Sequence, residues 1–200
     1  LSSKDTLLQA EQISLRFNPF DLWNGKYQIE EITSFNGQLN LKTDATGQTN
    51  FDIFKDTSSS SSSFNLELET ILLEQFEVAY RDQKSAQSYT STIHTASLSG
   101  KFSAQKTTLK AEGDVWLKRI QKGRVVLLKN EPLVFDLALL VDQTQNLIKL
   151  PQAQIKIANL PFLIDAEFGP VKSSLDIRSE NLSLIQLVRT VQPASMAELK

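Results

Sequence analysis

Leu109-Lys110-Ala111-Glu112-Gly113-Asp114-Val115-Trp116-Leu117 places a small or aliphatic residue at every second position. A β-strand turns successive side chains to opposite faces, so this stretch reads as a strand with one apolar side and one wet side. The same period recurs along the chain. It is seen at Ile13, Leu15 and Phe17, at Leu39 and Leu41, at Phe64, Leu66 and Leu68, and at Val78 and Tyr80. It returns at Leu133, Phe135, Leu137 and Leu139, at Ile155 and Ile157, and at Leu175 and Ile177. Such alternation fits an antiparallel sheet and not the continuous apolar runs of a parallel one. The expected fold is mainly β with one or two short helices.

Turn signals separate the strands. Asn36-Gly37 reads as a tight hairpin, and Asp44-Ala45-Thr46-Gly47 and Lys122-Gly123 as further turns. Ser99-Gly100 is a turn or bulge candidate. Apolar parity breaks between Ile29 and Ile32, which a bulge at Glu30-Glu31 would explain. Asn18 to Trp23 suits one short helical turn, with Pro19 at its first position. Residues 181–192 have helical spacing, with Asn181 or Ser183 as cap and Pro193 as stop. The serine-rich stretch 57–63 reads as a solvated loop. No internal repeat is evident beyond the strand rhythm.

Composition narrows the function classes. The chain has 200 residues, one domain or a slice of a larger one. Lys plus Arg is 21 and Asp plus Glu is 23, for a net charge of -2, which argues against a nucleic-acid binder. There is no Cys, which removes disulfides, thiolate metal sites and cysteine nucleophiles together. No run approaches the length of a membrane span, and no basic start followed by an apolar block marks a signal peptide. The chain opens on Leu1 in mid-pattern, so it is read as a fragment, with an upstream anchor left open.

Candidate chemistry is sparse. The serine tract lacks a nucleophile elbow and a neighbouring base. His94, the one histidine, sits in a strand pattern with no identifiable partner. Glu30 and Glu31 point to opposite faces, and Glu67 and Glu69 share a face opposite Leu66 and Leu68, which suits solvent and not an acid/base pair. Asp44, Thr46, Gly47, Asn50 and Asp52 miss the calcium-loop spacing and read as a turn. Asn181-Leu182-Ser183 matches a glycosylation sequon, but capping explains it better. The reading is of a non-catalytic protein with no cofactor and no metal.

Many strands each show one apolar side, with little helix to cover it. Either two sheets close on each other as a sandwich, or one sheet curls into an open groove that meets an apolar ligand.

From Phe17 to Ile53 the chain resembles the AsmA-like family of Gram-negative envelope proteins. Phe17-Asn18-Pro19, Asp21-Leu22-Trp23, Gly25, Tyr27, Ile29, Ile32, Asn36-Gly37, Leu39-Asn40-Leu41, Asp44, Gly47 and Asn50-Phe51 carry the resemblance. Phe64, Leu66, Leu68, Ile71, Leu73, Val78, Tyr80 and Asp82 extend it. Ile155, Ile157, Leu160-Pro161-Phe162, Phe168-Gly169 and Ser179-Glu180-Asn181-Leu182-Ser183-Leu184 look like the family's strand-then-helix ending. The six-serine insert departs from the pattern, and the anchor helix expected upstream is absent from this chain.

The resemblance implies that residues 1–200 are a single fragment of a curled, open antiparallel β-groove (a taco-like shape). It implies a periplasmic location behind an inner-membrane anchor, phospholipid or another acyl-chain lipid as partner, and a part in outer-membrane assembly and lipid homeostasis. Envelope protein partners are a further expectation. The alternative is a non-catalytic β-sandwich scaffold or protein-binding module of the cell envelope. Strand parity puts Leu15, Phe17, Ile29, Leu39, Leu41, Leu66, Leu68, Val78, Val115, Leu117, Phe135, Leu137, Ile155 and Ile157 on the lipid-lining wall. A slip of one residue inverts any strand's assignment.

Overall fold

A computed structural model of the chain describes residues 6–24, 28–51, 67–100 and 106–180. The strands are β1 (Leu8–Arg16), β2 (Gln28–Thr43), β3 (Glu67–Asp82), β4 (Gln87–Ser99), β5 (Lys106–Lys122), β6 (Val125–Asp142), β7 (Leu147–Ile157), β8 (Leu160–Phe168) and β9 (Ser173–Arg178). They form one nine-stranded sheet whose spatial order follows the sequence, with β1 and β9 at its two edges among the described residues. At about 3.4 Å per residue and about 4.8 Å between strands, the sheet measures about 60 Å along β6 and about 40 Å across.

The mainly β, open architecture matches the sequence reading, and a first correction concerns strand direction. β2 and β3 run parallel, while every other pair is antiparallel. The sheet is therefore mixed. Alternation within a strand reports which face is apolar and says nothing of a neighbour's direction. Residues 44–66, which join β2 to β3, are long enough for the crossover a parallel pair requires.

All substantial contacts between elements run between strands adjacent in the sheet. Among the described residues no second layer covers either face, which removes the sandwich solution for them. The one helix among the described residues, the short α1 (Pro19–Trp23), follows β1. Asn18 caps it, its Oδ1 accepting the Phe20 N–H at 3.0 Å. Phe20 and Trp23 are left exposed. The serine-rich loop 57–63 and the helix expected at 181–192 lie outside the described residues.

A second correction concerns Asn36-Gly37, which is not a hairpin. β2 passes straight through it, with Asn36 in the left-handed region at φ 49. Gln75 in β3, at φ 52, occupies the same level, because Phe35 pairs with Glu74 and Gly37 with Phe76. In β4 the register slips between Ile93 and Thr95, leaving His94 as the extra residue. A crease thus crosses β2, β3 and β4 at one height. Asn-Gly marks tolerance of positive φ, which a bulge needs as much as a hairpin does. The bulge expected at Glu30-Glu31 is absent: the register is the same on either side of it, Ile29 pairing with Leu68, Glu31 with Thr70 and Ile32 with Ile71.

The crease explains Gly37. A Cβ there would sit on the Phe76 ring, and Phe76 is 1% exposed. Gly37→Val should therefore destabilise the protein by about 1–3 kcal/mol through overpacking. Phe76→Ala should cost about 3–5 kcal/mol. Ile13→Ala on the edge strand, at a site 55% exposed, should cost only about 0.5 kcal/mol. Urea unfolding of the three variants checks the order.

Candidate functional site

Residues directly opposed in a ladder point to the same side of a sheet. Following the register from β1 to β8, one row reads Ala10, Gly37, Phe76, Ile93, Val115, Leu133, Ile157 and Leu160. The next row on that face reads Ile13, Ser34, Leu73, Ala96, Gly113, Phe135, Ile155 and Phe162. Between them on the other face lie Gln12, Phe35, Glu74, Thr95, Asp114, Val134, Lys156 and Pro161. One face is thus apolar from edge to edge and the other is largely polar.

The apolar face covers itself only in part. Phe76, Val115, Ala153, Leu160 and Ala166 are buried without any layer above them, so neighbours on their own face shield them. The Phe135 ring lies over Gly113, where an added Cβ would come within 2.8 Å of it. Aromatic rings laid over glycines fill the gaps that glycine leaves in a sheet. Most other residues of this face are half-buried. Exposure climbs at the margins, to 54% at Leu15 on β1 and 59% at Leu175 on β9.

Ten of the fourteen residues assigned by parity share this face: Leu15, Leu39, Leu41, Val78, Val115, Leu117, Phe135, Leu137, Ile155 and Ile157. Ile29 is corrected to the opposite face, and Leu68 takes the register position beside it. The cause is the crease, which swaps parity in β2 between Ser34 and Gly37 and in β3 between Leu73 and Phe76. Phe17 lies one residue beyond β1 and is exposed. Leu66 is outside the described residues. The parity reading missed Phe76 and Ile93, which the crease hides. It also missed Leu160, Phe162 and Ile164, whose alternation was open to view.

Polar groups mark the ends of this face. Tyr80 and Tyr89 stack with ring centroids 5.5 Å apart near the β3–β4 turn. Asp44 and Asp82 are held below the usual carboxylate range, first by side-chain hydrogen bonds from Thr46 and Ser85 and then by backbone N–H groups of their own turns. Asp44 is therefore a turn residue, as its spacing implies. At the opposite end Asp142 is lowered to about 2, first by the Thr144 hydroxyl and then by Lys106, whose Nζ lies 3.0 Å away. On the polar face His94 Nδ1 lies 3.5 Å from Asp114 Oδ1, both side chains about half exposed.

Two outcomes follow. The Ser34 hydroxyl is buried and makes no hydrogen bond. Ser34→Ala should therefore stabilise the protein by about 1 kcal/mol, read from the urea midpoint. Because the Asp142 pKa is depressed on folding, its contribution to stability is whole above about pH 4 and fades as pH falls toward 2. Acid unfolding of Asp142→Asn should lack that component, and an identical acid profile would contradict it. Comparison of the chain with family models, with characterised proteins and with solved structures gives no match.

Proposed function

We propose that the apolar face holds acyl chains, and that the chain is part of a periplasmic, inner-membrane-anchored protein of AsmA-like character that conducts phospholipid for outer-membrane assembly. One observation carries the reading: an apolar face spans β1 to β9 with no protein layer upon it among the described residues. So large an exposed apolar surface is a binding surface or an aggregation liability. Acyl chains suit it, since each buried methylene contributes about 0.8 kcal/mol without any directional demand. Headgroups would stay in water, and movement along the face would need no covalent step. No helix among the described residues is long and apolar enough to cross a membrane, so the anchor belongs to the proposal alone.

The second reading is a non-catalytic envelope scaffold, favoured by the outer edge of β9, which no strand among the described residues pairs and whose Leu175 and Ile177 stand exposed. Native mass spectrometry of protein prepared without detergent separates the two. The lipid reading expects adducts of phospholipid mass that fall about tenfold in Ile155→Glu, given that a central charge on an apolar wall is costly to bury. Circular dichroism should still show β-structure in that variant. An adduct-free wild-type spectrum would favour the scaffold.

A further inference from the structure

At one end of the sheet three turns meet. The 44–51 segment follows β2, the 83–86 turn joins β3 to β4, and Gly123-Arg124 joins β5 to β6. Backbone hydrogen bonds tie them into one edge: Gln83 N–H donates to Thr43 O at 2.9 Å, and Gly123 N–H to Ala86 O at 2.7 Å. Residues 42–51, 81–88 and 119–129 contain seven Lys or Arg and two Asp, a local excess of five positive charges on a chain of net charge -2. The two acids, Asp44 and Asp82, are engaged by their own turns.

The opposite end differs. There Arg16 pairs with Glu30 and Glu31, Lys106 with Asp142, and Lys149 with Glu167. At the turn end, among the described residues, Arg81, Lys84, Lys122, Arg124 and Lys129 make no ion pair and are exposed. Val125 and Leu127, on the strand that leaves the last turn, are also exposed. The edge therefore offers cations around a small apolar tip, next to the stacked tyrosines and continuous with the apolar face.

We propose that this turn edge is a docking surface for an anionic phospholipid membrane. Cations meet headgroup phosphates, Val125 and Leu127 enter the interface, and the Tyr80–Tyr89 pair sits at headgroup level, where tyrosine is favoured. The cationic edge does not depend on acyl chains occupying the apolar face. Together they make this end the mouth through which lipid would enter or leave.

The test is flotation with vesicles of phosphatidylglycerol and phosphatidylcholine against phosphatidylcholine alone, in low and in raised salt. Binding is expected on the anionic vesicles, weakening as salt screens the charges. Lys84→Glu/Lys122→Glu/Arg124→Glu should reduce it about tenfold or more, as each basic residue near such a surface is a substantial attraction. The control Lys110→Glu/Lys156→Glu/Lys172→Glu, away from this edge, should bind as wild type does. Equal loss in both triple variants, or equal binding to both vesicle types, overturns the proposal. So does displacement of vesicles by RNA at equal phosphate, which would assign the edge to nucleic acid. Adducts in native mass spectra are read separately, so failure here leaves the acyl-chain reading distinguishable.

Discussion

The whole arrangement depends on one constraint: nine strands each turn an apolar side to the same face, and none of the described residues supplies a second layer. A sandwich would bury those side chains against another sheet. Here Phe76 and Phe135 instead lie over Gly37 and Gly113 on neighbouring strands, and the face shields itself in its middle and fails to at its edges. Stability and availability are thus opposed on one surface. The residues that hold the sheet together, such as Phe76 and Leu160, are those no ligand could reach. The half-buried ones around them are those a ligand could cover.

The crease through Asn36, Gln75 and His94 is where local chemistry and global shape meet. Asparagine tolerates a left-handed backbone at low cost. Glutamine does so less readily, and Gln75 keeps φ 52 inside a long ladder. Such a residue persists only where its surroundings over-determine it. What it achieves here is visible in the rows: without the swap of parity, Phe76 and Leu39 would face the polar side.

Strand identity, the mainly β class, the Lys122-Gly123 and Asp44 to Gly47 turns and the short helix at Pro19 were legible because each has a local cause. Period two gives a face, and Gly or Asp gives a turn. β5 and β6 keep one register through their central stretch, so Val115, Leu117, Phe135 and Leu137 could be assigned by counting. Ile29 could not, because a single positive φ seven residues away decides its side. The parallel β2–β3 pair was equally hidden, since strand direction is set by the connection and not by side chains. The basic turn edge was invisible to net charge, because its seven cations come from three separate segments that only the sheet brings together.

The alternation of faces along one strand can be probed residue by residue. A photoreactive benzoylphenylalanine placed at Leu137, and separately at its neighbour Asp136, should give opposite results when the protein is irradiated with phospholipid present. Lipid adducts at position 137 and none at 136 are the predicted outcome. Equal labelling at both positions, or crosslinks from position 137 to the chain's own residues in place of lipid, would contradict it.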